Sequence, residues 1–354
     1  MAKILMKGNE ALAEAAIRAG CQAFFGYPIT PQNEIPGYMA EQLPLRGGVY
    51  LQAESEVSAI NMVYGAAGAG ARVMTSSSSP GISLKQEGIS YIAAGELPCV
   101  IVNVMRCGPG LGGIQPSQGD YFQAVKGGGH GDYRLIVLAP GSVQEMADLT
   151  ALGFDLADKW RNPVMILADG ILGQMMEPVD FPESYEPLQV EKPWATTGAV
   201  NRKPNVVNTL DIVPDSLEKK VEQLLEKYER IKQEEVRWQE EGTEDAEIIL
   251  VGYGTCARIA RSAMEQARKE GIKVGLFRPI TLFPFPEQQL KSLAGPRRSF
   301  LAVEMSAGQM VEDVRLAVEG RSPVHLCRRL GGMVPTPEEV LAKIHELVEG
   351  RVSQ

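Results

Sequence analysis

"LQAESEVSAINMVYGAAGAGARVMTSSSSPG", residues 51–81, is the stretch on which the fold turns. A β-rich end runs into a helical segment of Ala, Ile, Met, Val and Gly, and a second β-rich run, "ARVMTSS", follows and closes in a turn of serines, Pro80 and Gly81. Strand, helix and strand in one pass, with little polar surface, form the unit of a parallel sheet covered on both faces. The helix begins with carboxylates at Glu54 and Glu56, and no base follows before Arg72. A glutamate in a first turn answers the helix dipole. Yet "VSAINMVYGAAGAG" is apolar on nearly every face, so the helix start is expected at a covered interface, where a carboxylate has a partner or a task.

The same alternation runs from the N-terminus to about residue 190. "CQAFFGYP", "GGVYLQ", "ARVMTSS", "LPCVIVNVM", "YRLIVLAP" and "NPVMILAD" read as strands, with helices predicted from Asn9, Gln32, Ser55, Ile82, Ser117 and Ser142. The pattern predicts an α/β fold on a doubly wound parallel sheet, in which ligands sit beyond the carboxyl ends of the strands. Residues 181–214, with Pro182, Pro187, Pro193 and Pro204, read as a surface linker. "PDSLEKKVEQLLEKYERIKQEEVRWQEE" then spaces Leu217, Val221, Leu224, Leu225, Tyr228 and Ile231 helically, with Asp215 as N-cap and Glu218 three residues on. It reads as a charged amphipathic helix bridging two domains, against the competing account of a partner coiled coil. From "AEIILVGYGTCARIARSAMEQARKEGIKVGLFRP" a second strand-helix-strand rhythm continues through "RSFLAVEMS" and "PVHLCRRLGG", a second, smaller α/β domain. The expected division is 1–190, a linker with the charged helix over 191–245, and 246–354.

Composition excludes several function classes. A chain of 354 residues, 44% hydrophobic and 22% charged, has room for two or three domains. Its net charge of -9 and pI near 5.1 argue against nucleic acid or an anionic membrane, because phosphate binding is driven by clustered Lys and Arg. Cys21, Cys99, Cys107, Cys256 and Cys327 lie far apart, with no C-x-x-C pair or Cys/His cluster, so no metal ligands and no iron–sulfur cluster are expected on this chain. "MAKILMKGNEALAEA" lacks a secretory apolar core, and no apolar run reaches the roughly 18 residues of a membrane span. A cytoplasmic protein with reduced thiols is expected.

Several motifs admit two readings each. Gly252, Gly254 and Ala257 after "EIILV" form G-x-G-x-x-A, the shape of a dinucleotide turn; the next strand, however, ends in Phe277, Arg278 and Pro279 and lacks the acid that binds the ribose. The glycines otherwise let helix and strand approach closely. Arg106 stands where the strand "CVIVNVM" meets the crevice, and its two-pronged donor suits a substrate carboxylate; an ion pair with Asp120 is the alternative. The loop "RCGPGLGGIQPSQGD" lacks the Lys-Ser/Thr of a phosphate loop and reads as a flexible loop or a lid. Thr30 and Pro31 after "AFF" make a helix start with Thr as N-cap, yet the Thr30 hydroxyl shares the rim with Arg106. "TSSSSPG" caps a helix or offers hydroxyls and amides to an anion. His130, His325 and His345 are isolated and read as loop or surface residues.

"GYPITP", "ESEVSAINMVYGAAGAG", "TSSSSPGISLKQEGISYIAAGELP" and "VNVMRCGPG", in that order, resemble the pyrimidine-binding domain of the 2-oxoacid:ferredoxin oxidoreductases, which use thiamine diphosphate. The likeness covers most of residues 5–180. The part after residue 246, with "RPITLFPFP", looks like the transketolase C-terminal-type domain that follows it in the family's alpha subunit. The resemblance implies a thiamine-diphosphate-binding fold over 1–190, with Tyr27, Pro28, Ile29, Thr30 and Glu56 at the cofactor. It implies that Glu56 is catalytic, bonding N1′ of the aminopyrimidine. Sharing that proton favours the imino tautomer, whose 4′ nitrogen takes the proton from thiazolium C2 and so makes the nucleophile that attacks a 2-oxo carbon. Carbon dioxide then leaves, iron–sulfur clusters remove two electrons, and coenzyme A accepts the acyl group. Thr30 and Arg106 match positions that hold the substrate's carbonyl and carboxylate. The family's "TSGPG" is "SSSSPG" here, a stiffer turn with Ser79 in the glycine's place.

Thiamine enzymes hold the diphosphate and Mg²⁺ with G-D-G and a later Asn, hard oxygen ligands at a set spacing. The nearest stretch here, "LADGILGQ", has Ala168 for the first glycine and no Asn at the right distance. This chain is therefore expected to supply half of an active site and to be inactive alone. A beta subunit carrying the diphosphate and Mg²⁺ motif and a ferredoxin-like iron–sulfur subunit would be its partners, with a 2-oxo acid, coenzyme A and ferredoxin as reactants. "GHGDYRLIVLAPGS" looks closest to the 2-oxoisovalerate type, with 2-oxoglutarate next. A non-catalytic assembly subunit and an NAD(P) dehydrogenase using the 252–257 turn are the competing functions.

Overall fold

The computed structural model describes residues 3–352. Strand β1 (Ile4–Lys7) leads through α1 (Gly8–Arg18), β2 (Ala23–Gly26), α2 (Glu34–Gln42), β3 (Val49–Gln52), α3 (Glu56–Gly68), β4 (Val73–Ser77) and α4 (Ser79–Ala94) to β5 (Cys99–Met105). A long loop carries the short α5 (Tyr121–Val125) to β6 (Ile136–Leu138), α6 (Val143–Trp160), β7 (Pro163–Asp169), α7 (Gly170–Gln174) and β8 (Met176–Val179). After an irregular stretch come α8 (Pro214–Glu234), β9 (Trp238–Glu241), β10 (Ile248–Val251), α9 (Gly254–Lys269), β11 (Val274–Pro279), β12 (Thr281–Phe283), α10 (Glu287–Leu293), β13 (Ser299–Glu304), α11 (Met310–Val318), β14 (Val324–Arg328) and α12 (Pro337–Val352).

The expected α/β architecture is the one adopted. Seven strands form one sheet in the order β12-β6-β7-β5-β4-β2-β3, parallel except for β12 at its edge. Five form a second, β14-β13-β10-β11-β9, parallel except for β9. The central strands β5 and β7 are buried at every residue, which is why their sequences, Asn103 and the terminal Asp169 apart, are apolar and do not alternate. Strand β12 comes from the second half of the chain yet closes the first sheet, with Thr281 opposite Leu138.

One feature of the order places the site. Strand β3 lies to one side of β2 and β4 to the other, so the winding reverses there. Pairing between β2 and β4 joins Ala23 to Val73 and Phe24 to Met74 and stops short of their carboxyl ends, leaving a crevice where ligands bind in open parallel sheets.

Helix starts follow the local chemistry, with corrections. Ser55 and Ser142 cap α3 and α6, accepting from Ser58 N (3.2 Å) and Glu145 N (3.1 Å). Helix α1 opens at Gly8, one residue before Asn9. Helix α2 starts at Glu34 and not at Gln32, because residues 29–32 close a turn in which Gln32 N donates to Ile29 O (3.1 Å). Helix α4 starts at Ser79, ahead of Ile82, since Pro80 in its first turn needs no N–H partner. The helix expected from Ser117 begins only at Tyr121, because Gln118 is drawn across to the second sheet: its N donates to Met305 O (2.8 Å) and its Nε2 to Tyr253 O (2.9 Å). Asp215 is not the cap of α8; Pro214 opens that helix, and Asp211 accepts from Val213 N (3.2 Å), Ser216 Oγ (2.6 Å) and Lys220 Nζ (2.6 Å). Residues 180–213 hold no helix or strand. Helix α8 buries Leu224, Tyr228 and Ile231 in the main core, so part of its apolar face packs within its own chain. Among the described residues no helix is long and apolar enough to cross a membrane.

Candidate active site

The crevice beyond β2, β3 and β4 gathers the residues singled out in the sequence. Glu56 opens α3 and is 7% exposed, whereas Glu54 and Val57 on either side face outward. Among the described residues no hydrogen bond reaches the Glu56 carboxylate. The turn after β4 is pressed against it. A Cβ at Gly81 would stand 2.7 Å from Glu56 Oε1 and 2.1 Å from Ser77 Oγ, so only glycine permits this approach. The hydroxyls of Ser77 and Ser78 are buried there without partners.

Tyr27, Pro28, Ile29 and Thr30 form the turn after β2. That turn is pinned by a residue the sequence did not flag: Gln32, fully buried, donates through Nε2 to Tyr27 O (3.3 Å) and accepts from Ser76 Oγ (2.5 Å). Thr30 does not cap α2; its Oγ1 accepts from Asn33 Nδ2 (3.3 Å). Arg106 directly follows β5, 9% exposed, and its fork bridges two loops, Nη1 to Thr30 O (3.1 Å) and Nη2 to Leu111 O (3.1 Å), with Nε buried and unpartnered among the described residues. Its alternative partner, Asp120, is engaged elsewhere, accepting from Ser79 Oγ (2.6 Å) and Asn103 Nδ2 (2.9 Å). Burial pushes the Asp120 carboxyl above its usual range against those two hydrogen bonds. Ser79 also takes the Arg106 N–H (3.1 Å), so the serine standing in the glycine position ties the turn after β4 to the loop after β5.

Lys85 was also missed. It sits one helical turn beyond Gly81 on α4, fully buried, with Nζ donating to Thr75 Oγ1 (2.7 Å) and Ser76 O (3.0 Å). Burial pulls its pKa down to about 7, against the Glu56 charge, which raises it. Spacing was the available signal: Gly81, Lys85 and Gly88 share the face of α4 turned to α3, where a Cβ at Gly88 would meet Ile60 at 2.6 Å.

The other glycine turn is closed. Gly254, at φ +55°, lies against Asp169, and Thr255 donates to that carboxylate through N (3.1 Å) and Oγ1 (2.7 Å). Asp169 also accepts from Ile171 N (3.0 Å) and Leu172 N (3.2 Å), capping α7. The amide that would meet a dinucleotide phosphate is therefore occupied, and the one carboxylate of "LADG" is spoken for. Arg278 pairs with Glu145 at 2.6 Å and holds Gln239, so it too is engaged. His130 is exposed in a loop, and His345 pairs with Glu270 at 2.6 Å. No cluster of three or more His, Cys, Asp or Glu side chains able to hold a metal occurs among the described residues.

Residues 14–239 match the family model of the pyruvate flavodoxin/ferredoxin oxidoreductases, thiamine-diphosphate-binding part, and residues 246–340 match core domain II of pyruvate:ferredoxin oxidoreductase. Ketoisovalerate oxidoreductase subunit VorB of Methanothermobacter thermautotrophicus is 55% identical over 347 residues, covering 98% of each chain. The 2-oxoglutarate synthase subunit KorA of Archaeoglobus fulgidus is 40% identical over 363 residues, covering 98% of this chain and 99% of that one. Among solved structures, the 2-oxoglutarate:ferredoxin oxidoreductase of Magnetococcus marinus, with 2-oxoglutarate, coenzyme A and succinyl-CoA bound, superposes with a TM-score of 0.87 at 28% identity, over 97% of this chain and 65% of that one. A split-gene transketolase, an inactive beta4 tetramer, shares the fold at a TM-score of 0.59 and 13% identity.

Proposed function

We propose, from the premise that the chain belongs to the 2-oxoacid:ferredoxin oxidoreductases as an alpha-type subunit, that it supplies the pyrimidine side of the active site for oxidative decarboxylation of 2-oxoisovalerate to an acyl-CoA. The observation that carries this reading is the Glu56 carboxylate, nearly buried, with no donor among the described residues and a side-chain-free turn against it. A carboxyl group in that state suits a ring nitrogen with which it can share a proton, and the aminopyrimidine of thiamine diphosphate has such a nitrogen. When bound, that cofactor supplies a nucleophilic carbon and an electron sink.

The rest is the work of this chain's own residues. Glu56 holds a proton at N1′, a role that needs an acceptor not already satisfied by the protein. Gly81 keeps the space before it clear, and the unpartnered Ser77 and Ser78 hydroxyls line the same turn. Tyr27, Pro28, Ile29 and Thr30 form the neighbouring wall, fixed from behind by Gln32. Arg106 holds the Thr30 carbonyl and offers positive charge to a carboxylate. The groove that Thr30 borders, about 650 Å³, has an apolar side of Pro31, Ile114, Pro116, Ile171 and Met175, with Asn33, Gln115 and Gln174 also lining it. The apolar side suits a branched aliphatic side chain. Glu34 on its rim is held below the usual carboxylate range: burial pushes it up, but hydrogen bonds from Asn9, Lys7 and Gln174 outweigh that. An ionised Glu34 disfavours the second carboxylate of 2-oxoglutarate, the alternative substrate.

The saturated Asp169 leaves the diphosphate and Mg²⁺ to a beta subunit, and electrons to an iron–sulfur subunit that passes them to ferredoxin. The division into a pyrimidine-binding part, 1–190, a linker, 191–245, and a transketolase C-terminal-like part, 246–354, belongs to the same reading, as does a cytoplasmic setting, for which the five free cysteines speak. The test is Glu56→Gln in the reconstituted complex, assayed with 2-oxoisovalerate, coenzyme A and ferredoxin. A catalytic role predicts near-complete loss of turnover with intact assembly; an assembly subunit would keep near-full activity. Decarboxylation by the isolated chain would contradict the shared site.

A further inference from the structure

Helices α3 and α4 meet along one seam. Gly81 faces Glu56, Gly88 faces Ile60, and Lys85 stands between them on the same face. A lysine fully buried in such a seam carries a desolvation cost that the hydroxyl of Thr75 and the carbonyl of Ser76 answer only with neutral dipoles. Two of its three donors are used. No direct ion pair joins it to Glu56, yet the Glu56 charge raises its pKa against burial, and its hydrogen bonds to β4 go to the neutral Thr75 and Ser76.

We propose that Lys85 is a positioning residue for the cofactor site: its ammonium is the buried countercharge that keeps Glu56 a carboxylate, ready to share a proton with a ring nitrogen. The inference rests on the Glu56 role proposed above. Its logic is electrostatic and runs one way with pH. Where the solution is acidic enough to protonate a desolvated carboxylate, Lys85 is charged and opposes that protonation. On the alkaline side Lys85 gives up its proton near pH 7 and the countercharge is lost. The hydrogen bonds from Nζ aim the charge, since Thr75 and Ser76 sit on the strand that ends beside Glu56.

Two substitutions separate charge from packing. Lys85→Gln keeps a donor for Thr75 and Ser76 but removes the charge; Lys85→Arg keeps the charge. In the reconstituted complex, the Gln variant should move the acid limb of the kcat/KM profile about one unit to higher pH, a tenfold loss on that limb, while the Arg variant should retain the wild-type limb. The second readout is the dissociation constant of thiamine diphosphate between pH 5.5 and 7.5, followed by near-ultraviolet circular dichroism of the complex. It should weaken with acidity about tenfold more in Lys85→Gln than in the wild type. That extra weakening should vanish when Glu56→Gln is also present.

A Lys85→Gln profile that superposes on the wild type, or an acid-dependent weakening that persists without Glu56, makes Lys85 a structural brace and overturns the inference. If Lys85→Gln fails to assemble, loss of the wild-type limb in the assembled Lys85→Arg variant overturns it equally. A fully active Glu56→Gln complex would instead sink the underlying assignment of Glu56, and is read separately.

Discussion

Two glycine-bearing turns follow core strands in this chain, and each lies against a buried carboxylate. After β4, Glu56 is left without a donor among the described residues, and the Ser77 and Ser78 hydroxyls beside it are unpartnered there too. After β10, every role of Asp169 is filled, by two amides of α7 and by the amide and hydroxyl of Thr255. An unsatisfied buried polar group costs about 1–3 kcal/mol. The first turn therefore withholds stability that a bound group restores, and the second contributes its hydrogen bonds to folding. Glycine spacing alone does not tell a ligand site from a domain joint; the state of the donors and acceptors does.

The comparison predicts opposite consequences for the two carboxylates. Glu56→Gln should lower 2-oxo acid decarboxylation by the reconstituted complex about 10²- to 10⁴-fold, while leaving the melting temperature of the chain nearly unchanged. Asp169→Ala strips four donors of their acceptor and should lower unfolding stability by roughly 3 kcal/mol, measured by denaturant titration of the isolated chain. Should Asp169→Ala fold with wild-type stability while turnover collapses, the closed turn would be a site after all and the contrast would fail.

How far the sequence carried this is visible in the same residues. The alternating runs made the α/β sheet legible because each central strand, Cys99–Met105 for instance, is buried on both faces and so is apolar but for Asn103. Glu56 was legible because an acid opening an apolar helix is a local signal. What joins the parts was not. Asp169 meets Thr255 across 86 residues, and Ser79 meets Asp120 across 41. Strand β12 closes a sheet begun far upstream. Such pairings depend on tertiary approach and leave no periodicity behind. Lys85 was hidden for a different reason: a lysine in a helix reads as a solvated residue unless the glycines flanking it at i−4 and i+3 are seen to define a packed face.

Arg106 sharpens the open side of the comparison with a smaller effect. Its fork holds Thr30 O and Leu111 O together, a task a lysine's point charge does not perform. Arg106→Lys should raise KM for the 2-oxo acid about 10- to 100-fold, with kcat less affected, since charge-assisted hydrogen bonds contribute roughly 1.5–3 kcal/mol. An unchanged KM would put the substrate carboxylate elsewhere.

The smallest effect belongs to the closed turn. Thr255→Val keeps the β-branched shape and the amide bond to Asp169 Oδ2 but removes the hydroxyl that donates to Oδ1 at 2.7 Å. Because Ile171 N and Leu172 N still satisfy that oxygen, only one hydrogen bond is lost, about 1 kcal/mol. The melting temperature should fall slightly, and turnover of the complex with thiamine diphosphate should stay at the wild-type level. If the small destabilisation came with a large loss of turnover, the joint between the two sheets would be transmitting strain to Glu56, and the two turns would have to be treated as one coupled unit.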